Sequence, residues 1–192
     1  GNPRVESVRM GSLVSQEQKA NVIAGIAQLR TEAEVLFDGA NAPLVEADAA
    51  IAACVAPVLL GSREPAKARV LHEVEVFGPV ATLMAYDSIE QAFELIRRGE
   101  GSLVCSVYSA DPAFTASAAP ELGSSHGRVH AISPDVAASQ TGHGNVMPMS
   151  LHGGRAAGGA KNWAPARAGL LHRRSAVQAS SAALTPWRLG AP

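Results

Sequence analysis

The chain of 192 residues contains little of what marks several large classes of protein. Its two cysteines, Cys54 and Cys105, are too few for a disulfide scaffold, and no Cys/His cluster has the spacing of a zinc site. Lysine and arginine number 16 against 17 aspartates and glutamates, and no basic block is present to attract nucleic acid or an anionic membrane. We therefore predict no metal site, no nucleic-acid partner and no membrane partner.

Long apolar segments are also scarce. The most apolar run, residues 49–61, is shorter than the roughly 20 residues that a membrane-spanning helix needs. No basic segment followed by an apolar one indicates a secretory signal, so we expect a cytoplasmic protein. The chain begins with the turn sequence Gly1-Asn2-Pro3 rather than with methionine, which we interpret as part of a larger protein.

Apolar residues recur alternately at helical and strand spacing along much of the chain. This alternation is typical of α/β layering around a largely parallel sheet. We expect the uncharged strand 103–108 to be buried on both faces. Residues 173–179 alternate as a terminal strand. The other predicted elements are helices at 15–30, 64–71, 88–98 and 111–123, and strands at 34–37, 57–60, 80–86 and 128–132.

The most informative local motif is Glu75-Val76-Phe77-Gly78-Pro79-Val80, directly before a predicted strand. Gly78-Pro79 forces a tight turn, which fixes the orientation of Glu75 and Phe77. A carboxylate placed there can accept hydrogen bonds from vicinal hydroxyls, as acidic residues do for ribose, and an aromatic side chain beside it can flank a flat ring. The alternative is a strand-entry turn with a solvated glutamate and a core phenylalanine. The hexapeptide by itself leaves both interpretations open.

This hexapeptide resembles the E-x-F-G-P-V box of the aldehyde dehydrogenase superfamily, and other segments follow the order of that family. Residues 1–3 and 10–15 resemble its G-D/N-P … G-P-L-V segment, although Ser12 stands where proline is usual. Residues 57–60 resemble its P-T-L-L segment, and residues 103–111 resemble one of its strands. The resemblance covers nearly all of the chain but only the C-terminal part of the family's domain.

The second half of the chain resembles one branch of the superfamily in particular. Residues 141–148, 152–156 and 174–178 are similar to the aldehyde dehydrogenase domain of bifunctional phenylacetate-degradation enzymes. That domain oxidises a ring-opened, CoA-linked semialdehyde. Residues 160–163 depart from the branch, which carries an acidic, glycine-terminated stretch at this place.

The resemblance implies a three-layer α/β/α catalytic lobe with a largely parallel sheet over residues 1–172. An oligomerisation strand and tail would follow over residues 173–192. The implied reaction is oxidation of a small aldehyde to its acid with NAD or NADP, which the intact parent binds. In that reaction Glu75 would hold the nicotinamide-side ribose hydroxyls, and Phe77 would pack near the nicotinamide.

The substrate entrance would be lined by residues 141–155, which include His143 and His152. From the residues alone, ordinary loop positions are favoured for both histidines, because neither belongs to a recognisable motif. A third histidine, His72, is predicted to form a solvated pair with Glu73.

The residues that carry the family's chemistry precede the G-N-P turn: the nucleophilic cysteine, the general-base glutamate and the Rossmann-like cofactor domain. We therefore predict that this chain contains no catalytic residue, is inactive alone and binds no cofactor without the rest of the parent. Cys54 and Cys105 lie in apolar runs, where a free thiol acts as a small buried hydrophobe, so we assign structural roles to both.

Assembly follows from the same resemblance. It implies a two-fold homodimer in which each terminal strand is donated to the neighbouring subunit. Two other interpretations are open. A non-catalytic assembly module would keep the α/β lobe for its oligomerisation strand, and an unrelated CoA- or nucleotide-binding domain would make the ordered series of motifs a coincidence.

Overall fold

The computed structural model describes residues 1–138, 176–180 and 184 of the chain. It divides into two compact units, Gly1–Gln91 and Ala92–Pro192. Each unit has its own sheet and its own apolar core. The predicted boundary between residues 172 and 173 lies outside the described residues and stays a prediction.

Helices and strands alternate along the described residues except at the consecutive strands β1 and β2, and most lie within a few residues of their predicted bounds. This confirms the α/β pattern. No helix in this part of the chain is both long and apolar enough to cross a membrane. The helices are α1 (Gln16–Leu29), α2 (Val70–Glu73), α3 (Ile89–Arg98), α4 (Pro112–Gly123) and α5 (Pro134–Ala138). The strands are β1 (Glu34–Asp38), β2 (Val58–Ser62), β3 (Val80–Met84), β4 (Ser102–Tyr108), β5 (His126–Ile132) and β6 (Ala176–Gln178).

The first unit contains a mixed three-stranded sheet in the order β1-β2-β3. β1 is antiparallel to β2, and β2 is parallel to β3, with Val58 opposite Val80. α1 begins at a capping box, where the Ser15 hydroxyl accepts a hydrogen bond from the Gln18 backbone N–H at 3.1 Å. Helix and sheet share one apolar core. Its buried members are Val22, Ile26, Leu29, Val58, Leu60 and Leu71.

α2 is shorter than predicted and begins later. The sequence predicts a helix over residues 64–71, whereas the helix runs over Val70–Glu73 and the residues before it form turns. The helix begins where the Glu32 carboxylate accepts hydrogen bonds from the backbone N–H groups of Arg69, at 2.9 Å, and Leu71, at 3.2 Å. A side chain distant in sequence therefore fixes the start of α2, and no local pattern could have shown this.

The second unit contains a parallel sheet in the order β4-β5-β6. α4 begins at Asp111, whose carboxylate accepts a hydrogen bond from the Ala113 backbone N–H at 2.8 Å. The helix packs against the central strand β5. The buried apolar residues of this core are Ala118, Ala119, Leu122 and Val129. Parallel pairing dominates as predicted, but the described strands lie in two sheets of three rather than in one sheet.

β4 does not occupy the position that its sequence predicts. Among the described strands it lies at the edge of its sheet, and Leu103 and Tyr108 are 58% and 74% exposed. The expectation of burial on both faces is therefore wrong. Cys105 and Val107 pack on the core from alternate positions, so a strand can lack charge along its length while burying a single face.

β6 coincides with part of the predicted terminal strand. It pairs in parallel with β5 of the same chain, with Val177 opposite Val129. The Arg128 guanidinium also donates a hydrogen bond to Gln178 Oε1 at 3.3 Å. This pairing within one chain differs from the predicted donation of the strand to a partner, so the dimer stays a prediction.

Candidate functional site

The Glu75–Pro79 turn connects α2 to β3 in the first unit. The backbone at Val74 is extended, with φ −98° and ψ 116°, so successive side chains point to opposite sides. Val76 packs against the core, whereas Glu75 is exposed and Phe77 is 67% exposed. The carboxylate and the ring therefore lie on the solvent side of the turn. The core phenylalanine of the alternative interpretation is therefore wrong, whereas its solvated glutamate is confirmed.

Short backbone hydrogen bonds hold the turn in shape. The Gly78 N–H donates to the Val76 carbonyl at 2.9 Å, and the Val80 N–H donates to the Gly78 carbonyl at 2.8 Å. The Val58 N–H then donates to the Pro79 carbonyl at 2.9 Å, which joins the end of the turn to β2. Because Pro79 also has a fixed φ, the entry into β3 is rigid.

The turn lies along one face of α1. Gln18 Nε2 donates a hydrogen bond to the Phe77 carbonyl at 3.0 Å. A Cβ added to Gly78 would lie 2.5 Å from Val22 Cγ1, and one added to Gly25 would lie 2.6 Å from a methyl carbon of Val76. Gln18, Val22 and Gly25 are four and three residues apart, so they share a helix face. Glycine at 25 and 78 is required because each backbone approaches a valine side chain so closely.

The exposed carboxylate is available to a ligand. Within the described residues, no hydrogen bond or ion pair engages Glu75, although several other glutamates of the first unit are paired with cations. An ionised carboxylate offers two oxygens that accept hydrogen bonds, which matches the two hydroxyls of a ribose. Both residues that the sequence singled out for cofactor binding are therefore exposed on the same short turn.

The two cysteines occupy different environments. Cys105 is half-buried on β4, and burial raises the pKa of its thiol, which disfavours the reactive thiolate. Cys54 lies on the wall of an open, mainly apolar cavity of about 840 Å³ in the first unit, with Arg30 and Asp38 among its lining residues. Sequence reasoning missed this cavity, because its walls come from α1, from the end of β1 and from the run before β2.

The His72 side chain is hydrogen-bonded to the backbone of the loop before α2. His72 Nε2 donates a hydrogen bond to the Pro65 carbonyl at 2.9 Å, and Glu73 instead accepts one from Arg69 at 2.7 Å. The predicted solvated His72–Glu73 pair is therefore wrong, because each side chain has another partner. His143 and His152 lie outside the described residues. No group of acidic, cysteine and histidine side chains in the described ranges could hold a metal ion.

Comparison with known proteins agrees with the resemblance read from the motifs. The model of the aldehyde dehydrogenase family matches residues 1–153. The chain is 51% identical over 155 residues to a 3,4-dehydroadipyl-CoA semialdehyde dehydrogenase of Aromatoleum evansii, which covers 80% of this chain and 30% of that relative. It is 35% identical over 175 residues to Protein MaoC of Klebsiella aerogenes, which covers 89% of this chain and 50% of that protein.

The fold has solved counterparts. An aldehyde dehydrogenase of Bacillus cereus in complex with NAD+ superposes with a TM-score of 0.54 at 25% identity, over 66% of this chain and 24% of that chain. The chain spans between 30% and 50% of the length of the curated relatives named above. The family model alone matches well over half of the chain, which excludes an unrelated nucleotide-binding domain. The chain belongs to the aldehyde dehydrogenase family.

Proposed function

We propose that this chain forms the C-terminal part of the catalytic lobe of an NAD(P)-dependent aldehyde dehydrogenase, whose parent oxidises an aldehyde to its acid. The observation that carries the proposal is the Glu75–Pro79 turn, which presents an unengaged carboxylate and a mostly exposed aromatic ring on one side. The family membership of the chain supports the same activity.

The residues of the turn fit the nicotinamide half of the cofactor. The Glu75 carboxylate would accept hydrogen bonds from the two hydroxyls of the ribose, and the Phe77 ring would pack beside the nicotinamide. When bound, the cofactor accepts hydride from the substrate. The part played by this chain is to fix the position of the ring that receives the hydride. A displacement of about 1 Å there can slow such a step about 100-fold.

The proposed substrate is a CoA-linked semialdehyde of the kind formed in phenylacetate catabolism. The name of the relative that is 51% identical supports this choice. In this proposal, residues 141–155 with His143 and His152 line the substrate entrance. The parent forms a homodimer through the terminal strand. A cytoplasmic location fits two free thiols, Cys54 and Cys105, because reducing compartments keep cysteines unpaired.

The chain alone is proposed to be inactive. Oxidation of an aldehyde by this route needs a thiolate that attacks the carbonyl and a base that activates water. Neither cysteine of the chain is proposed for that attack, and burial raises the pKa of the Cys105 thiol, which disfavours its thiolate. Aldehyde-dependent reduction of NAD+ or NADP+ should therefore stay at background with the purified chain. Turnover that Cys54→Ser or Cys105→Ser abolishes would contradict this assignment.

The proposal is tested by Glu75→Gln in the full-length enzyme that contains this segment. We expect hydride transfer, measured by stopped-flow absorbance of the reduced cofactor, to slow by about 100-fold because the ribose is misplaced. The melting temperature should not change, since the carboxylate is exposed and unpaired. Glu64→Gln is the matched control, because Glu64 is also exposed but is paired with Lys67. Unchanged hydride transfer with a lowered melting temperature would instead support a purely structural turn and favour a non-catalytic assembly module.

A further inference from the structure

We propose that the open cavity beside the last two turns of α1 binds a small apolar carboxylate, whose charged end pairs with Arg30. The cavity of about 840 Å³ lies within the first unit, and its volume is in the range of small-molecule sites. This inference goes beyond the proposed function and does not depend on it, because no residue of the Glu75–Pro79 turn lines the cavity.

α1 presents different faces to the turn and to the cavity. The turn contacts Gln18 and Val22. The cavity is lined instead by Ile23, Ala27 and Arg30. The two sets of side chains point about 120° apart around a helix of 3.6 residues per turn. A ligand in the cavity therefore leaves the helix face that contacts the turn unobstructed.

Hydrogen bonds from α1 hold another wall of the cavity in place. Part of residues 49–56, the run before β2, forms this wall. Gln16 Nε2 donates a hydrogen bond to the Ile51 carbonyl at 2.7 Å. Lys19 Nζ donates to the next carbonyl, that of Ala52, at 3.2 Å. The cavity is thus formed before a ligand enters, as small-molecule sites usually are.

The chemistry of the walls favours a ligand with an apolar body and one negative charge. The lining is mainly aliphatic, with isoleucine, leucine, valine and several alanine side chains, so burial of a hydrocarbon chain there is favourable. Arg30 directly follows α1 and also lines the cavity. Within the described residues, no hydrogen bond or ion pair engages its guanidinium. A guanidinium matches a carboxylate through two parallel hydrogen bonds.

The acidic wall residue, Asp38, has a local structural role. Its Oδ1 accepts a hydrogen bond from the Ala40 backbone N–H at 2.9 Å, which shapes the turn after β1. A ligand carboxylate would be attracted by Arg30 and repelled by Asp38. Charge-removing substitutions at the two positions should therefore act in opposite directions. Asp38→Asn retains an oxygen that accepts from Ala40, so the turn is kept.

The experiment uses the full-length enzyme and follows alkylation of Cys54 by iodoacetamide with mass spectrometry, because Cys54 lines the cavity. The probes octanoate, octan-1-ol and octylammonium share one chain length and differ in charge. Octanoate should protect Cys54 saturably, at a concentration about fivefold lower than octan-1-ol, because an exposed ion pair adds modest affinity. Octylammonium should protect no better than octan-1-ol. Cys105, which lies in the second unit, should alkylate at an unchanged rate.

The variants test the role of charge. Arg30→Gln should raise the octanoate concentration for half protection by about fivefold, and Asp38→Asn should lower it by about twofold. Arg9→Gln is the matched control, because Arg9 is also exposed but does not line the cavity. None of these substitutions should change protection by octan-1-ol.

Several outcomes would overturn the inference. Equal protection by octanoate and octan-1-ol would show that charge does not matter. Octanoate protection that Arg30→Gln leaves unchanged, or that Arg9→Gln weakens equally, would show that Arg30 does not hold the carboxylate. If Cys54 does not react in the enzyme without a ligand, another part of the enzyme covers the cavity and no small carboxylate binds there.

Discussion

The two units differ in the exposure of the polar side chains that could bind a ligand. In the first unit, Glu75 and Phe77 are exposed on a short turn whose other side contacts α1. In the second unit, His126, Arg128 and His130 alternate along β5 and are only 5%, 7% and 1% exposed. Burial closes the β5 row to a ligand, whereas exposure leaves the turn accessible.

The largest loss of stability is expected from Leu60→Ala, which tests whether the two units unfold independently. Leu60 has no exposed surface in the core of the first unit, so its truncation should cost about 2–5 kcal/mol. Amide hydrogen exchange should become faster in α1 and β2 but not in α4 and β5. Val129→Ala is the reciprocal control in the second unit. Equal loss of protection in both units would show that they unfold as one.

A smaller loss of stability is expected from Gly78→Ala. This variant tests how closely the packed side of the turn lies against α1. The new Cβ would lie 2.5 Å from Val22 Cγ1, and overpacking of this kind costs about 1–3 kcal/mol. Urea denaturation measures the change in the free energy of unfolding. Gly99→Ala is the control, because the nearest atom to its Cβ is the Ile96 carbonyl oxygen at an ordinary 3.5 Å. Equal stability of the two variants would argue against tight packing of the turn on α1.

A kinetic difference is expected between the two cysteines, one in each unit. Burial raises the pKa of the Cys105 thiol, so at pH 8 a smaller fraction is thiolate than in the unfolded chain. Alkylation by iodoacetamide, followed by mass spectrometry, should be slower at Cys105 in the folded chain than in urea. Cys54, which lines the open cavity, provides the internal comparison and should react first. Faster alkylation at Cys105 would contradict its placement on the core side of β4.

The smallest change in stability is expected from a substitution of Asp135 in the second unit. Hydrogen bonds from the Ser133 side chain, and further ones that include the Ser180 side chain, lower the pKa of this carboxyl. A lowered pKa stabilises the folded state above the unfolded pKa of about 3.9, and that contribution is lost as the pH falls through the folded value. Asp135→Asn should therefore weaken the fall in stability below about pH 4. An identical acid-denaturation profile, followed by circular dichroism, would contradict this.

The sequence predicted features that depend on neighbours in the chain. The helix starts near residues 15 and 111 and the Glu75–Pro79 turn all follow from residues within four positions of one another. The features that it missed depend on distant residues. The exposure of β4 depends on its position at the edge of the sheet, and the contact between Gln18 and Phe77 depends on how the turn meets α1.

The hydrogen bonds from Glu32 have a consequence for the order of folding. α2 has four residues, too few to be stable as an isolated helix, and its first backbone N–H groups are held by a carboxylate 37 and 39 residues earlier. Closing a loop of that length costs chain entropy before any contact is gained. We therefore expect α2 to form only after the region around Glu32 has folded. The turn directly after α2 would then be ordered late, so the proposed cofactor-binding surface is completed near the end of folding of the first unit.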